Sequence, residues 1–342
     1  MRKKLLLGLV TLSAASMLCG FDSAETAESL WDKMETASAD ASGLTADMVF
    51  DLDAALNISD GETTVPIDLK LGADFSMDCL MDPFAMSMEG GYELSSVLLD
   101  GQSQSMQAYS VADENGGLKT YTYVEDAGTG EGQWVVQSDD SINITELIAD
   151  SQNAAMSYSD MQEMGLVFEL APEAADVNGT ECYLLSTTIT ADTLQTMLQK
   201  VSELTGQELP DAASLDSALS MLEGLNLNLA YYVDTATYLP VSIHMDLDGS
   251  DLTALNTLIN ALVASAASEE APASTAELVI NQFAIDMTCD YSAVPEITVP
   301  EEALAAEESG EAQSLEDAAA AVESALESET VAESETTVES ES

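Results

Sequence analysis

The chain has 342 residues, 46% of them hydrophobic, and carries 63 Asp and Glu against 7 Lys and Arg, a formal net charge of -56. The apolar fraction is enough to bury a core, so the chain is not disordered throughout. The charge repels phosphate backbones and anionic lipid head groups, which excludes nucleic acid as a partner and leaves membrane contact to an anchor or an apolar surface.

The first residues have the form of an export signal. Arg2-Lys3-Lys4 is a basic start, and Leu5 to Leu18 is an apolar run too short to span a bilayer comfortably. Ser16-Met17-Leu18-Cys19-Gly20 has the outline of a bacterial lipobox, with Leu18 where a small residue is usual. In that reading Cys19 is lipidated and its acyl chains, of the palmitate kind, hold the protein on the outer face of a Gram-positive cell membrane. Cleavage after Ala15 or Ser16, with secretion, is the alternative. The expected organisation is a signal peptide over 1–18, an anchor linker over 19–23, one domain over 24–300 and an acidic tail over 301–342.

Periodicity then places the elements. Ala27, Leu30, Trp31 and Met34 recur at helical spacing, so a helix is expected from about Ser23 to Ser38. The period changes to two at Met48, Phe50, Leu52, Ala54 and Leu56, and again at Ile67, Leu69, Leu71, Ala73, Phe75 and Met77, with aspartates between them. Two such runs joined across Asp60-Gly61 predict an antiparallel hairpin with one wet face. Further strands are expected at 84–88, 92–99, 107–112, 120–125 and 133–137, then at 166–170 and 181–190 around the turn Asn178-Gly179. Helical patterns cover 144–164, 194–204, 213–222 and 251–263, with a hairpin over 225–247 between the last two. A long final strand over 276–291 precedes Pro295 and Pro300, and Glu301 to Ser342 is a low-complexity acidic stretch read as a disordered tail. The fold class implied is α+β, a large antiparallel sheet with helices on one face.

The chemistry of most enzymes is missing. His244 is the one histidine, on the solvent face of a strand, which excludes a histidine-based zinc cluster. No serine sits in a nucleophile elbow, and no phosphate-binding glycine motif is present. Asp246-Leu247-Asp248-Gly249-Ser250-Asp251 has oxygen ligands but lacks the spacing and closing Glu of a helix–loop–helix calcium loop, so it reads as a strand end followed by a helix cap at Ser250 or Asp251. No metal, cofactor or catalytic residue is expected. Cys79, Cys182 and Cys289 lie in register with apolar neighbours and read as buried thiols; a Cys182–Cys289 bridge stays open. The chain has 16 Met, several on inward registers, which fits either ordinary core filling or an adaptable apolar groove.

Several segments resemble bacterial lipoproteins of the LolA-like and LppX-like superfamily. They are Leu30-Trp31-Asp32-Lys33-Met34, Tyr121-Thr122-Tyr123-Val124 leading to Gln133-Trp134-Val135, Val177-Asn178-Gly179-Thr180-Glu181-Cys182-Tyr183, and above all Tyr231-Tyr232-Val233-Asp234-Thr235-Ala236-Thr237-Tyr238-Leu239-Pro240-Val241. The resemblance runs from about Ala24 to Pro300 by element order. It implies an incomplete β-barrel with helices packed on its concave face, and a role in holding a lipid or acyl chain, here expected in the cleft between sheet and helices of a monomer. The expected wall residues are Phe50, Phe75, Met77, Tyr123, Trp134, Tyr231, Phe283 and Met287. A cell-surface interaction or structural lipoprotein, with a protein partner and no small ligand, is the alternative.

Overall fold

The computed structural model describes residues 25–306 except 60, 62, 98, 114–115, 126–131, 140–142, 145–156, 206–211 and 267–273. The export signal, Cys19 and most of the acidic tail therefore lie outside the described residues. So do the Gly-rich loop before Gly132 and much of the helical pattern over 144–164.

The chain opens with helix α1 (Ala27–Ala39), started by Thr26, whose hydroxyl accepts from the Ser29 N–H. Four antiparallel hairpin partners follow: β1 (Gly43–Ser59), β2 (Thr64–Met81), β3 (Phe84–Ser96) and β4 (Leu99–Ala112). Then come β5 (Leu118–Glu125), β6 (Gly132–Asp139), the short helix α2 (Tyr158–Glu163), β7 (Glu169–Leu170), β8 (Ala175–Val177) and β9 (Thr180–Ile189). Asn178 and Gly179, both at positive φ, make the tight turn between β8 and β9. Helices α3 (Ala191–Thr205) and α4 (Ala212–Met221), the hairpin β10 (Leu227–Asp234) and β11 (Pro240–Asp246), helix α5 (Thr253–Ala266) and β12 (Thr275–Asp290) complete the sheet. A last short helix, α6 (Glu301–Leu304), follows Pro300.

All strands form one open antiparallel sheet in the order β6-β5-β4-β3-β2-β1-β12-β11-β10-β9-β7, with β8 on β9. The first strand pairs with the last. Met48 stands opposite Phe75 of β2 and Met287 of β12, so the three share a face. The expected α+β architecture, an unclosed antiparallel sheet with helices, is the one found. Two expectations of detail are corrected. The strands expected at 84–88 and 92–99 are one strand, because Gly90-Gly91 continues the ladder opposite Phe75 and Asp74. Residues 301–306, assigned to the tail, include a helix whose Ala303 is fully buried against Tyr121 and Val136.

The core is split between the two faces. On one face, Leu30, Trp31 and Met34 of α1 pack with Tyr158, Met164, Leu166 and Phe168 onto Leu185 of β9 and Val233 of β10. Trp31 lies 4.8 Å from Phe168 and meets Tyr231 edge-on at 6.1 Å, and the Tyr158 hydroxyl donates to the Phe168 carbonyl at 3.1 Å. On the opposite face, at β5 and β6, Tyr121 and Val136 are covered by Val299, Ala303 and Ala306. The segment after β12 reaches them by crossing Gly43, where a Cβ would lie 2.7 Å from Val294.

β11 ends at Asp246, opposite Ala284, and leaves the first half of β12 without a strand on that side. Helix α5 fills the gap. Asn256 donates to the Leu278 carbonyl at 3.2 Å and accepts from its N–H at 2.6 Å, and Asn260 does the same for Ala276 at 2.7 and 2.8 Å. Two amides one helical turn apart match backbone groups two residues apart on a strand, so the helix satisfies the edge as a neighbouring strand would. Ala276 is buried, so its N–H and C=O have no ready water to turn to. Replacing Asn260 by Ala is expected to lower stability by about 1–3 kcal/mol, read from the urea midpoint at unchanged slope.

Candidate functional site

The register fixes which side chains share a face. From β1 come Ala46, Met48, Phe50, Leu52 and Ala54; from β2 come Leu69, Leu71, Ala73, Phe75, Met77 and Cys79. β12 adds Phe283, Ile285, Met287 and Cys289, β11 adds Ile243 and Met245, and β10 adds Leu229 and Tyr231. β3 contributes Met86, Met88, Tyr92 and Leu94. None of these is charged. The opposite face of the same strands carries Asp47, Asp51, Asp53, Asp68, Asp74, Asp78, Glu89, Glu93, Asp246 and Asp286. Across these strands the sheet thus has an uncharged side and an acidic side.

A β-bulge keeps this separation. Asp53 pairs with Gln282 but Ala54 pairs with Ile280, so Asn281 is an extra residue. Its side chain donates to Asp53 at 2.9 Å. Without it, Ala276, Leu278 and Ile280 would turn to the acidic side, because a one-residue slip inverts every side chain.

Six of the eight expected wall residues come together on the uncharged face: Phe50, Phe75, Met77, Tyr231, Phe283 and Met287. Phe50 and Phe283 meet edge-on at 5.6 Å, and all six are half-buried. Tyr123 and Trp134 are not with them. Trp134 pairs with Tyr123, and Tyr123 with Gln107, in the row that holds Glu89. Both aromatics are therefore on the acidic side of the sheet, at its β4–β6 end. There Trp134 meets Tyr123 edge-on at 5.3 Å and lies tilted against Tyr109 at 5.9 Å, next to the patch covered by α6.

Helices guard one end of the uncharged face. α1 closes it over β9 and β10, and α5 flanks β12. Toward β2 and β3 the same face carries exposed side chains, among them Val65 at 59% and Tyr92 at 36% of their full surface. A groove of about 680 Å³ lies elsewhere, on the polar outer side of α1 between Glu28, Asp32 and Tyr238. Its charged lining suits no apolar ligand.

Phe75 is held by a glycine. A Cβ on Gly90, its cross-strand neighbour, would lie 2.6 Å from the Phe75 ring and 2.1 Å from the Asp74 carbonyl. The ring therefore leans across β3, where no other residue leaves room. Gly72, also in β2, has nothing within 4 Å of such a Cβ. Gly90→Ala is expected to destabilise by about 1–3 kcal/mol through overpacking, while Gly72→Ala is neutral or slightly stabilising. Urea unfolding of the two variants side by side checks this.

The hairpin from Tyr231 to Val241 positions α1. Asp234 accepts from the Ala236 N–H at 2.8 Å and the Thr237 hydroxyl at 3.0 Å, which turns the chain and leaves Tyr238 at φ 61°. That conformation is strained for a bulky residue. In exchange, the Tyr238 ring stacks on Tyr183 at 6.4 Å and lies 4.6 Å beneath the Lys33 ammonium, which also pairs with Glu25.

The titratable groups fit a binding face better than a reactive one. Burial, joined by the Asp234 charge, pushes the Cys182 thiol up to about 11, and burial raises Cys79 and Cys289 as well, so all three stay protonated thiols. All three are free; Cys182 and Cys289 sit on β9 and β12, which β10 and β11 separate. Among the described carboxylates with a resolved shift, only Glu35 on α1 is raised, by burial and then by Asp32. Asp251 caps α5 by accepting from Thr253 at 2.9 Å. No group of three or more metal-ligating side chains occurs among the described residues. No helix among them is long and apolar enough to cross a membrane.

Fold and site define an open antiparallel sheet with one uncharged face, partly closed by helices. Residues 26–253 match the model of a family of unknown function, DUF6612, and the chain belongs to that family. No curated protein matches it. Solved structures similar to it include the lipoprotein LppX of Mycobacterium tuberculosis, at 11% identity and TM-score 0.28 over 80% of this chain and 99% of that one. LprF of Mycobacterium bovis is similar at 13% and TM-score 0.29, over 80% and 95%. An outer-membrane lipoprotein-sorting protein domain of Vibrio parahaemolyticus is similar at 10% and TM-score 0.21, over 79% and 95%. Likeness at these TM-scores says nothing of a ligand.

Proposed function

We propose that the chain is an exported lipoprotein, held on the outer face of the cell membrane through Cys19, that binds a lipid or acyl chain against the uncharged face of its sheet. The observation that carries this reading is the face itself. Across β1, β2, β3, β10, β11 and β12 it presents Met, Phe, Leu, Ile and Tyr with no charge, in a chain of net charge -56. Acyl methylenes moved from water onto such a surface contribute about 0.8 kcal/mol each. The methionines, Met48, Met77, Met88, Met245 and Met287, adapt to chains of differing shape. The wall is Phe50, Phe75, Met77, Tyr231, Phe283 and Met287; Tyr123 and Trp134, on the acidic side, are left out of it. Binding rather than catalysis is the role, and no cofactor is needed. Val97, exposed at 67% in the β3–β4 turn, favours the second reading, in which a protein partner docks at the hairpin tips.

The full chain purified from a bacterial host and extracted with organic solvent is expected to yield about one lipid per protein by mass spectrometry. Phe283→Glu removes that lipid, and Trp134→Glu keeps it, both variants being checked for folding by circular dichroism. An extract without lipid, from a folded protein that also ignores added fatty acids and phospholipids, would transfer the weight to the protein-partner reading.

A further inference from the structure

The sheet is joined across a narrow seam. β1 to β6 and β12 lie on one side, and β7, β9, β10 and β11 on the other. Among the described residues only Ser242–Asp246 and Ala284–Thr288 pair between them. The uncharged face runs across this seam, with Ile243 against Met287 and Met245 against Ile285. On the acidic side the seam is crossed by His244. Its Nδ1 is 2.7 Å from Asp286 Oδ1, and its Nε2 is 3.2 Å from Asp246 Oδ2.

A neutral imidazole has one N–H and one lone pair. It can donate to one of these carboxylates and must present a lone pair to the other. Only the imidazolium satisfies both. Asp246 keeps other donors whatever the histidine does, from Asn228 at 2.7 Å and the Asp248 N–H at 2.8 Å. Further out on the same side the groups are acidic: Glu169 on β7 lies in the His244 row, and Asp47 and Asp51 on β1 flank Asp286. β9 and β10 present Ser186, Ala230 and other neutral side chains there. The histidine also borders a groove of about 450 Å³, so solvent protons reach it.

We propose that His244 is a proton-operated staple of this seam: as imidazolium it ties β11 to β12 through a charge-assisted hydrogen bond to Asp286, and on losing its proton it keeps only a weaker, neutral one, which loosens the seam and releases ligand from the uncharged face. The ligand half of this statement rests on the lipid-binding reading above; the staple itself does not. Partial burial works against the charged ring, but the hydrogen bond to Asp286 and the charges of Asp286 and Asp246 outweigh it and hold the pKa above the ordinary histidine value. A folded-state pKa above the unfolded one, near 6.5, means that the tie is complete below about pH 6.5. It is lost as pH rises through the folded value.

The chain has 1 His, so its imidazole Cε1–H gives a single titrating signal in the NMR spectrum of the full chain. Its midpoint is expected above about 6.5, and lower in Asp286→Asn. Amide exchange at residues 242–246 and 284–288, corrected for intrinsic rates, should run about two- to fivefold faster above the midpoint than below it, and His244→Gln should remove that dependence. A midpoint at or below the ordinary value that ignores Asp286→Asn, or seam exchange indifferent to pH, overturns the staple. The neutral fluorophore N-phenyl-1-naphthylamine is titrated in parallel. Its release at the same midpoint supports the coupling, and retention at every pH overturns it. A fluorophore that never binds counts against the lipid-binding reading and leaves the staple to the NMR result.

Discussion

The pairing of β1 with β12 is the constraint on which the rest depends. It joins the first strand to the last and sets the register of the long strands between β4 and β11. Because side chains alternate, register alone decides that Met48, Phe50, Phe75, Phe283 and Met287 share a surface while the aspartates between them share the other. The bulge at Asn281 holds that division along the whole of β12, and the Asn281–Asp53 hydrogen bond fixes the bulge in place. A strand pair formed one residue out of step would bury carboxylates and expose the aromatic row, at a cost no domain of ordinary stability could carry.

The division also accounts for the charge. Few bases are available, and the described ones are committed: Lys33 to Glu25 and Tyr238, Lys70 to Asp53, Lys200 to Glu163, and Lys119 over the Tyr121 ring. Many of the other described acids stand on one side of the sheet, where water screens them. That side keeps molecules apart in solution. An uncharged face is left opposite, free to take an apolar ligand without desolvating a carboxylate.

Much of this was legible in the sequence. The change from helical to alternating period between Met34 and Met48 marked α1 and β1, and alternation in 67–77 marked β2 and its inward side. The bulge left a partial trace: Ala276, Leu278 and Ile280 are even-numbered and Phe283, Ile285, Met287 and Cys289 odd-numbered, with Val279 and Ala284 out of step. Long-range placement was not legible. Tyr123 and Trp134 are aromatic and lie in alternating strands, but alternation within a strand does not say which face its residues join; the β3–β4–β5 register does. The first half of β4 carries no sequence signal, because Gln102, Ser103, Gln104 and Ser105 show no apolar rhythm. Gly90-Gly91 looked like a break because the reason for Gly90, the Phe75 ring, lies on another strand. The edge-capping role of Asn256 and Asn260 depends on where β11 stops, and Ala303 was hidden in an acidic composition that otherwise describes solvated chain.

Where a bound acyl chain lies is measured directly by photolabelling. A fatty acid carrying a diazirine near its methyl end, irradiated with the full chain and mapped by peptide mass spectrometry, should mark β1, β2 and β12 around Met48, Phe75, Met77, Phe283 and Met287, and leave Tyr109, Tyr123 and Trp134 unmarked. Labels gathered on those three aromatics, or spread evenly over both faces of the sheet, would contradict the assignment of the uncharged face as the binding surface.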